Sequence, residues 1–193
     1  MSCYSDQKSG GLEQMQAMMR GDAAEFAHFY DGYAPTVFAF LCKMFRDRTE
    51  AEDMLQETFL QAWRQAARYD PDRGSPIAWL IKIARSRGID RLRQLRLKTL
   101  RDGGPIEEWH EQVQTQPSVE AMAMEQNTQG VVYMEIDKLP IEQREAMTMA
   151  FFGGLTHHEI AKRLATPLGT IKTRIRLGIK KLQEAIQKRG VCA

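Results

Sequence analysis

Residues 155–176, Leu-Thr-His-His-Glu-Ile-Ala-Lys-Arg-Leu-Ala-Thr-Pro-Leu-Gly-Thr-Ile-Lys-Thr-Arg-Ile-Arg, constrain this chain more than any other stretch. They read as two short helices joined by a tight turn. Thr156 followed by Glu159 is a capping box, in which the hydroxyl takes an orphan N–H and the carboxylate reaches back to the cap. Ile160, Ala161 and Leu164 then recur at helical spacing and give the first helix one apolar face. Thr166-Pro167 restarts the chain, with a hydroxyl at the cap and proline at the first helical position, where no N–H is missed. In the second helix Ile171, Ile175 and Ile179 mark an expected buried stripe, and Lys172, Thr173, Arg174 and Arg176 point elsewhere. A helix with an apolar back and a basic, hydroxylated front suits a DNA major groove. A lone basic helix is more often a solvated face; a capped support helix at this spacing argues for the groove.

The formal net charge of +2 conceals a strong segregation. Lys82, Arg85, Arg87, Arg91, Arg93, Arg96, Lys98 and Arg101 crowd residues 81–103, against Asp90 and Asp102. Residues 102–130 carry Asp102, Glu107, Glu108, Glu111, Glu120 and Glu125, with no Lys or Arg. Residues 171–190 turn basic again. Two basic blocks around an acidic spacer point to two nucleic-acid-facing modules on a tether. A hydrophobic fraction of 43% over 193 residues permits one medium core or two small ones. Cys3, Cys42 and Cys192 form no metal-like pair and leave one over, so a reduced cytoplasm is the expected home and Cys42 a small core residue. No apolar run reaches transmembrane length, and the first residues lack a signal-peptide core.

The first dozen residues are polar and expected to be loose. From Leu12 to Arg46 the pattern is helical, with Gly21-Asp22 ending one helix and capping the next, and Pro35 offering a bend. The Met and aromatic stripes here (Met15, Met18, Met19, Phe26, Phe29, Tyr30) are read as core, with no cofactor assigned. In residues 50–67, Ala51, Met54, Leu55, Phe59, Ala62 and Ala66 share one helical face. Asp53, Gln56, Glu57, Leu60 and Arg64 share the opposite one. An outward leucine among acids and an amide has the apolar centre and polar rim of a protein interface, although a single surface leucine ordinarily means nothing.

Tyr69–Pro76 is a loop of turn formers, followed by a long helix over about 77–98. Its expected buried stripe is Ile77, Leu80, Ile81, Ala84, Leu92 and Leu95. Its other side presents Trp79, Lys82, Arg85, Ser86, Ile89 and Arg93, a mixture suited to stacking on unpaired bases while cations hold phosphates. Read alone, the same helix would put Trp79 at the edge of a core beside a solvated charge run. Residues 101–130 read as an acidic linker with a helical turn or two. The last module begins near Val131, with a helix starting after Leu139-Pro140, lined by Ile141, Ala146, Met147 and Ala150 and ending at Gly153-Gly154.

Three blocks, in order, carry a family resemblance: Asp53-Met-Leu-Gln-Glu-Thr-Phe-Leu-Gln-Ala-Trp63, Ala78-Trp-Leu-Ile-Lys-Ile-Ala-Arg-Ser-Arg-Gly-Ile-Asp-Arg-Leu-Arg93, and Gly154-Leu-Thr continuing to Gly169-Thr-Ile-Lys-Thr-Arg174. Together they resemble the extracytoplasmic-function (ECF) sigma factors, from about Leu12 to Lys188. The resemblance implies an all-α fold of two small helical domains: a region 2 bundle over 12–98 and a region 4 helix-turn-helix over 131–190, joined by a flexible acidic linker over 99–130. It implies core RNA polymerase as partner, through the β′ clamp helices and the β subunit, with Asp53, Gln56, Glu57 and Leu60 docking. It implies minus-10 promoter contacts from the loop, through Asp72, Arg73 and Ser75, and from Trp79, Lys82, Arg85, Ser86 and Arg93, where a base is flipped out and the duplex melts. It implies minus-35 contacts from Thr170, Lys172, Thr173, Arg174, Arg176 and Lys180, and a cognate anti-sigma protein. Two positions depart from the family: many relatives carry Asn where Ser86 stands, and some carry an aromatic followed by Arg where Arg176-Leu177 stands.

Two other functions compete with this one. A stand-alone helix-turn-helix regulator accounts for the C-terminal half and leaves the face around Leu60 and the tryptophan-bearing basic helix without a role. An enzyme would need a constellation that the chain lacks: there is no nucleophile set and no phosphate-cradling glycine loop. His157 and His158 are adjacent on a helix and diverge by about 100°, so they do not converge on one ion. No catalytic residue, metal, cofactor or small-molecule substrate is therefore expected.

Overall fold

A computed structural model describes residues 13, 15–17, 19–45, 47–103 and 135–188, with 186–188 known by backbone alone. Every regular element among these residues is helical. They run α1 (Ala23–Met44), α2 (Arg48–Gln65), two 3-10 turns (Ala66–Arg68 and Pro71–Arg73), α3 (Pro76–Arg101), α4 (Ile141–Phe151), α5 (His157–Arg163) and α6 (Leu168–Lys188). The chain divides into two compact units, one reaching Arg91 and one beginning at Leu92, with α3 running through the division. The expectations for the first dozen residues, Met18, Cys3, Cys192, the acidic stretch 104–130 and the start at Val131 lie outside the described residues.

In the N-terminal unit, Gly21 takes a positive φ of 82° and Asp22 caps α1, its carboxylate accepting from the N–H groups of Ala24 and Glu25 at 3.0 and 3.2 Å. α1 stays one helix through Pro35. Asp47 caps α2 by accepting from Thr49 at 2.8 Å. The inward face of α2 is the expected one, and Ala51, Met54, Leu55, Phe59 and Ala62 are all buried. Thr58 joins them, because its hydroxyl donates to the Met54 carbonyl at 2.6 Å and so buries no unpaired oxygen. Phe59 is the hub against α1, with its ring centroid 4.6 Å from Tyr30 and 6.2 Å from Phe29, while Phe26 stands edge-on to Trp63 at 4.8 Å. Cys42 is half-buried.

α3 is longer than expected at both ends, and its buried stripe differs. Leu80, Ala84 and Leu92 are buried as expected, Ile77, Ile81 and Leu95 are only half-buried, and Ile83 is buried. At about 100° per residue Ile83 lies about 60° from Leu80 and Ile81 about 100°, so Ile83 is nearer the core axis. Gly88 is buried too, because a Cβ there would stand 2.7 Å from Cε of Met44. Arg91 of α3 grips Glu50 of α2 through two bonds, Nε to Oε2 at 2.7 Å and Nη2 to Oε1 at 2.8 Å. Arg87 donates to Gln61 one turn earlier along α3. These ties lock α3 against α2 in register.

In the C-terminal unit, Ala146, Leu155, Ile160, Ile171 and Ile175 form one core, and Leu139, Met147 and Leu182 a second. α4 starts after Leu139-Pro140 as expected and ends at glycines, with Gly154 at φ 61° and the Leu155 N–H donating to Met149 at 3.1 Å. Ile141, expected on the inner face of α4, is instead 57% exposed. It sits about 140° around the helix from buried Ala146. Ile179 is likewise 45% exposed, against the expected stripe. The stripe of α6 is Ile171, Ile175, Gly178 and Leu182, all buried. From Ile171, Gly178 lies about 20° off axis and Ile179 about 80°. Gly178 is glycine because Sδ of Met147 occupies the place its Cβ would take.

Candidate nucleic-acid and protein interfaces

On α2 the face opposite the core presents Asp53, Gln56, Glu57, Leu60 and Arg64, all exposed as expected. Leu60 is 49% exposed at its centre. The acids there also reach α3. Arg91 is held more firmly charged than an ordinary guanidinium, first by its hydrogen bonds to Glu50 and then by the charges of Glu50, Glu57 and Asp53, with burial opposing. The sequence reading missed Glu50 and Arg91 as partners. They lie 41 residues apart, and no local period connects them.

The loop before α3 is tied in several places. Asp70 accepts from the Asp72 N–H at 3.0 Å, setting the turn that exposes Asp72 and Arg73. Ser75 caps α3, its Oγ accepting from the Ala78 N–H at 3.4 Å and its carbonyl from Trp79 at 3.1 Å. Its hydroxyl proton is left to donate elsewhere. Trp79, one turn into α3, is half-buried and meets the Tyr69 ring edge-on at 5.6 Å. Lys82 and Ser86 continue its stripe and are exposed. Arg85 is half-buried, and burial pulls its guanidinium below the ordinary value. Arg93 is exposed but stands about 21 Å along the helix axis from Trp79, at 1.5 Å per residue. Asp72, Arg73 and Ser75 thus lie in the loop and its junction with α3, Trp79 and Lys82 in the first two turns of that helix, Arg85 and Ser86 about 9 and 10 Å beyond Trp79 along its axis, and Arg93 farther still.

The capping box of α5 is present in both directions: the Thr156 N–H donates to Glu159 at 2.6 Å and the Glu159 N–H to Thr156 Oγ1 at 3.3 Å. His157 and His158 are both exposed. The turn into α6 differs from expectation. The Thr166 hydroxyl donates back to the Leu164 carbonyl at 2.8 Å instead of capping α6. Pro167 precedes the first helical residue, its carbonyl accepting from Thr170 at 2.9 Å and Ile171 at 3.1 Å. Ala165 takes a left-handed φ of 45° to make this turn.

On α6, Thr173, Arg176 and Lys180 share the face opposite the buried stripe, flanked by Thr170 and Lys172, and all five are exposed. Arg174 is half-buried, about 60° from Ile171 and beside the core rather than on the front. The Thr173 hydroxyl donates to the Gly169 carbonyl at 2.9 Å, which leaves its lone pairs and methyl outward. Lys180 lies 3.8 Å from Glu184, an exposed pair too weak to remove its charge from the surface. Among the described residues no His, Cys, Asp and Glu side chains are grouped to hold a metal ion. No described helix is long and apolar enough to cross a membrane.

Comparison with known proteins bears on both units. Residues 29–97 match the family described as Sigma-70 region 2, and residues 129–182 match Sigma-70, region 4. The ECF RNA polymerase sigma factor RpoE of Cereibacter sphaeroides is 38% identical over 165 residues, covering 84% of this chain and 87% of that one. The ECF RNA polymerase sigma factor SigK of Mycobacterium ulcerans is 32% identical over 172 residues, 89% of this chain and 91% of that one. The crystal structure of Rhodobacter sphaeroides SigE in complex with the anti-sigma ChrR aligns with 92% of this chain and 98% of that one, at 29% identity and a TM-score of 0.44.

Proposed function

The chain belongs to the extracytoplasmic-function sigma factors of the sigma-70 family and directs promoter-specific initiation of transcription, and from that premise we propose which residues do which part of the work. The outward face of α2, Asp53, Gln56, Glu57 and Leu60, docks on the clamp helices of the polymerase β′ subunit. The loop residues Asp72, Arg73 and Ser75, with Trp79, Lys82 and Ser86 on α3, receive the minus-10 element, and Arg85 and Arg93 serve as flanking phosphate cations. On α6, Lys172, Thr173 and Arg176 read minus-35 base edges, Thr170 and Lys180 meet phosphates, and Arg174 braces the helix from its core side. Region 2 spans 12–98, the acidic linker 99–130 and region 4 131–190; the family matches at 29–97 and 129–182 support the two domains, and α3 carries helix three residues into the linker, to Arg101.

The observation that carries this reading is Leu60, 49% exposed and ringed by acids and an amide, on a helix whose other face is fully packed. A stand-alone DNA-binding regulator has no use for such a face, and a subunit that docks on polymerase does. Family membership also supports a binding role with no catalytic chemistry of the chain's own, and a cytoplasmic location beside polymerase and DNA. A cognate anti-sigma protein belongs to the same proposal, holding the factor in the cytoplasm or at the inner membrane. Exposed Leu60 on α2 and Leu177 and Ile179 on α6 are apolar surface that such a cover would bury.

The test is reconstitution: core polymerase is incubated with the chain, and the transcripts started from genomic DNA are sequenced. Starts that share a minus-10 and a minus-35 element absent from core-only reactions are expected. Tight binding to duplex DNA with no affinity for core enzyme would overturn the reading.

A further inference from the structure

Tyr69 stands at the entrance of the loop and touches both things that the loop must bring together. Its phenol hydroxyl donates to the Gly74 carbonyl at 3.0 Å, five residues on, and so closes Asp70–Arg73 into a ring. Its aromatic ring meets Trp79 edge-on, centroids 5.6 Å apart and planes at 66°. The backbone of Tyr69 is itself anchored, its N–H donating to Ala66 at 3.0 Å. At the far end Gly74 takes φ 139°, a conformation that L side chains rarely adopt, and this presents its carbonyl to the phenol. Burial, with Tyr33 and Asp70 adding to it, raises the phenol above its ordinary value, so it remains a donor through neutral pH.

A phenylalanine would fill the same half-buried space, so the hydroxyl needs its own reason. The bond it makes links two points of one loop and no two helices, so it adds little to helix packing. What it does is order, before any DNA arrives, the segment that exposes Asp72 and Arg73 and places Ser75.

We propose that Tyr69 is a positioning residue for base selection at the minus-10 element: its hydroxyl on Gly74 and its ring against Trp79 hold the loop at the spacing from Trp79 that receives an extruded base. This rests on the reading of the loop and α3 as the minus-10 surface. With the tie cut, the loop shifts to accommodate non-preferred bases, and discrimination falls while docking on polymerase is untouched.

The experiment compares holoenzymes carrying wild-type chain, Tyr69→Phe, Tyr69→Leu and an Asp72→Ala/Arg73→Ala double variant. Open-complex formation is measured on single-base variants of the minus-10 element, in duplex form and with that region already mismatched. Core affinity and thermal midpoint are recorded in parallel. Tyr69→Phe is expected to lose about three- to tenfold in discrimination at one or two positions on both templates, the range set by a single hydrogen bond. Its core affinity is expected to stay at wild type and its midpoint to fall by no more than about 4–8 °C, the share of one hydrogen bond, and Tyr69→Leu is expected to lose more discrimination. If Asp72→Ala/Arg73→Ala changes base preference and Tyr69→Phe does not, the loop reads DNA without this tie and the proposal is overturned while the minus-10 reading stands. If neither variant changes preference, the minus-10 reading fails and takes the proposal with it. A Tyr69→Phe protein that weakens all templates evenly, in step with a lower midpoint, assigns Tyr69 a structural role only and also overturns the proposal.

Discussion

An aliphatic side chain left 49% exposed at the centre of a polar face gains nothing within its own chain, whereas covering it removes apolar area from water at roughly 25 cal/mol per Å². Leu60→Asp is therefore expected to weaken binding to core polymerase by about 2 kcal/mol or more, roughly thirtyfold in Kd. The fold should be retained, because the Leu60 side chain lies on the face away from Phe59 and the other packed residues. Equilibrium titration of core enzyme, beside a circular-dichroism melt of the variant, checks this; wild-type affinity in a folded variant would remove Leu60 from the interface. On α6 the same residue-by-residue logic bears on the proposed split between base readers and phosphate anchors. Arg176 faces outward beside Thr173, and Lys180 lies one turn further on, within 3.8 Å of Glu184. Arg176→Ala is expected to lose about 1–3 kcal/mol of discrimination at one or two minus-35 positions. Lys180→Ala should lower affinity evenly across sequences and flatten its dependence on salt. Holoenzyme binding to single-base minus-35 variants at two salt concentrations distinguishes these. An Arg176→Ala protein that keeps its base preferences would leave Lys172 and Thr173 as the readers.

At the scale of elements, two small residues shape the helix-turn-helix with opposite consequences. Ala165 holds φ 45° in the turn between α5 and α6, where a Cβ crowds the following carbonyl. Ala165→Gly removes that strain and adds unfolded-chain entropy, for an expected net gain of about 0.5–1 kcal/mol. Gly178 faces Met147 across the junction of α6 with α4, and the sulfur fills the space a methyl would need. Gly178→Ala is expected to cost about 1–3 kcal/mol, as overpacking of a well-filled core does. Urea titration of the full chain, following the C-terminal unit by hydrogen exchange on α6, should show the two variants moving in opposite directions. A destabilised Ala165→Gly protein would mean that the left-handed turn is not strained. The capping box of α5, read directly from Thr156 and Glu159, needed no tertiary information, because all its atoms lie within one turn of helix.

At the scale of the whole molecule, two basic surfaces lie on two compact units of one chain, with Trp79 on the first and Arg176 on the second. Trp79→Ala is expected to reduce open-complex formation more on a duplex promoter than on one already mismatched at minus-10. Stacking worth about 1–3 kcal/mol per base is available only once bases are unpaired. On the proposed assignment of the two residues to separate promoter elements, the losses of Trp79→Ala and Arg176→Ala should combine additively, within about 0.5 kcal/mol. A defect equally severe on the pre-opened template would make Trp79 a core or duplex-contact residue. The half-burial of Trp79 against Tyr69 shows why its sequence context alone left both roles open.

Helix order, both faces of α2, the caps at Asp22 and Thr156 and the basic front of α6 followed from residue spacing, since each depends on neighbours within a turn or two. Hydrophobicity alone places Ile179, Ile141, Ile77, Ile81 and Leu95 inward, and packing leaves the first two exposed and the other three half-buried. Apolarity marks which residues prefer burial, but angle around the helix and the shape of the opposing surface decide which achieve it. The positions that packing chose instead include Gly88 and Gly178, which carry no side chain and so no hydrophobic signal, and which matter because Met44 and Met147 press against their backbones. The fork between Glu50 and Arg91 and the tie from Tyr69 to Gly74 were equally beyond a periodic pattern, since each is a meeting of polar atoms that exists only after the chain has turned back on itself.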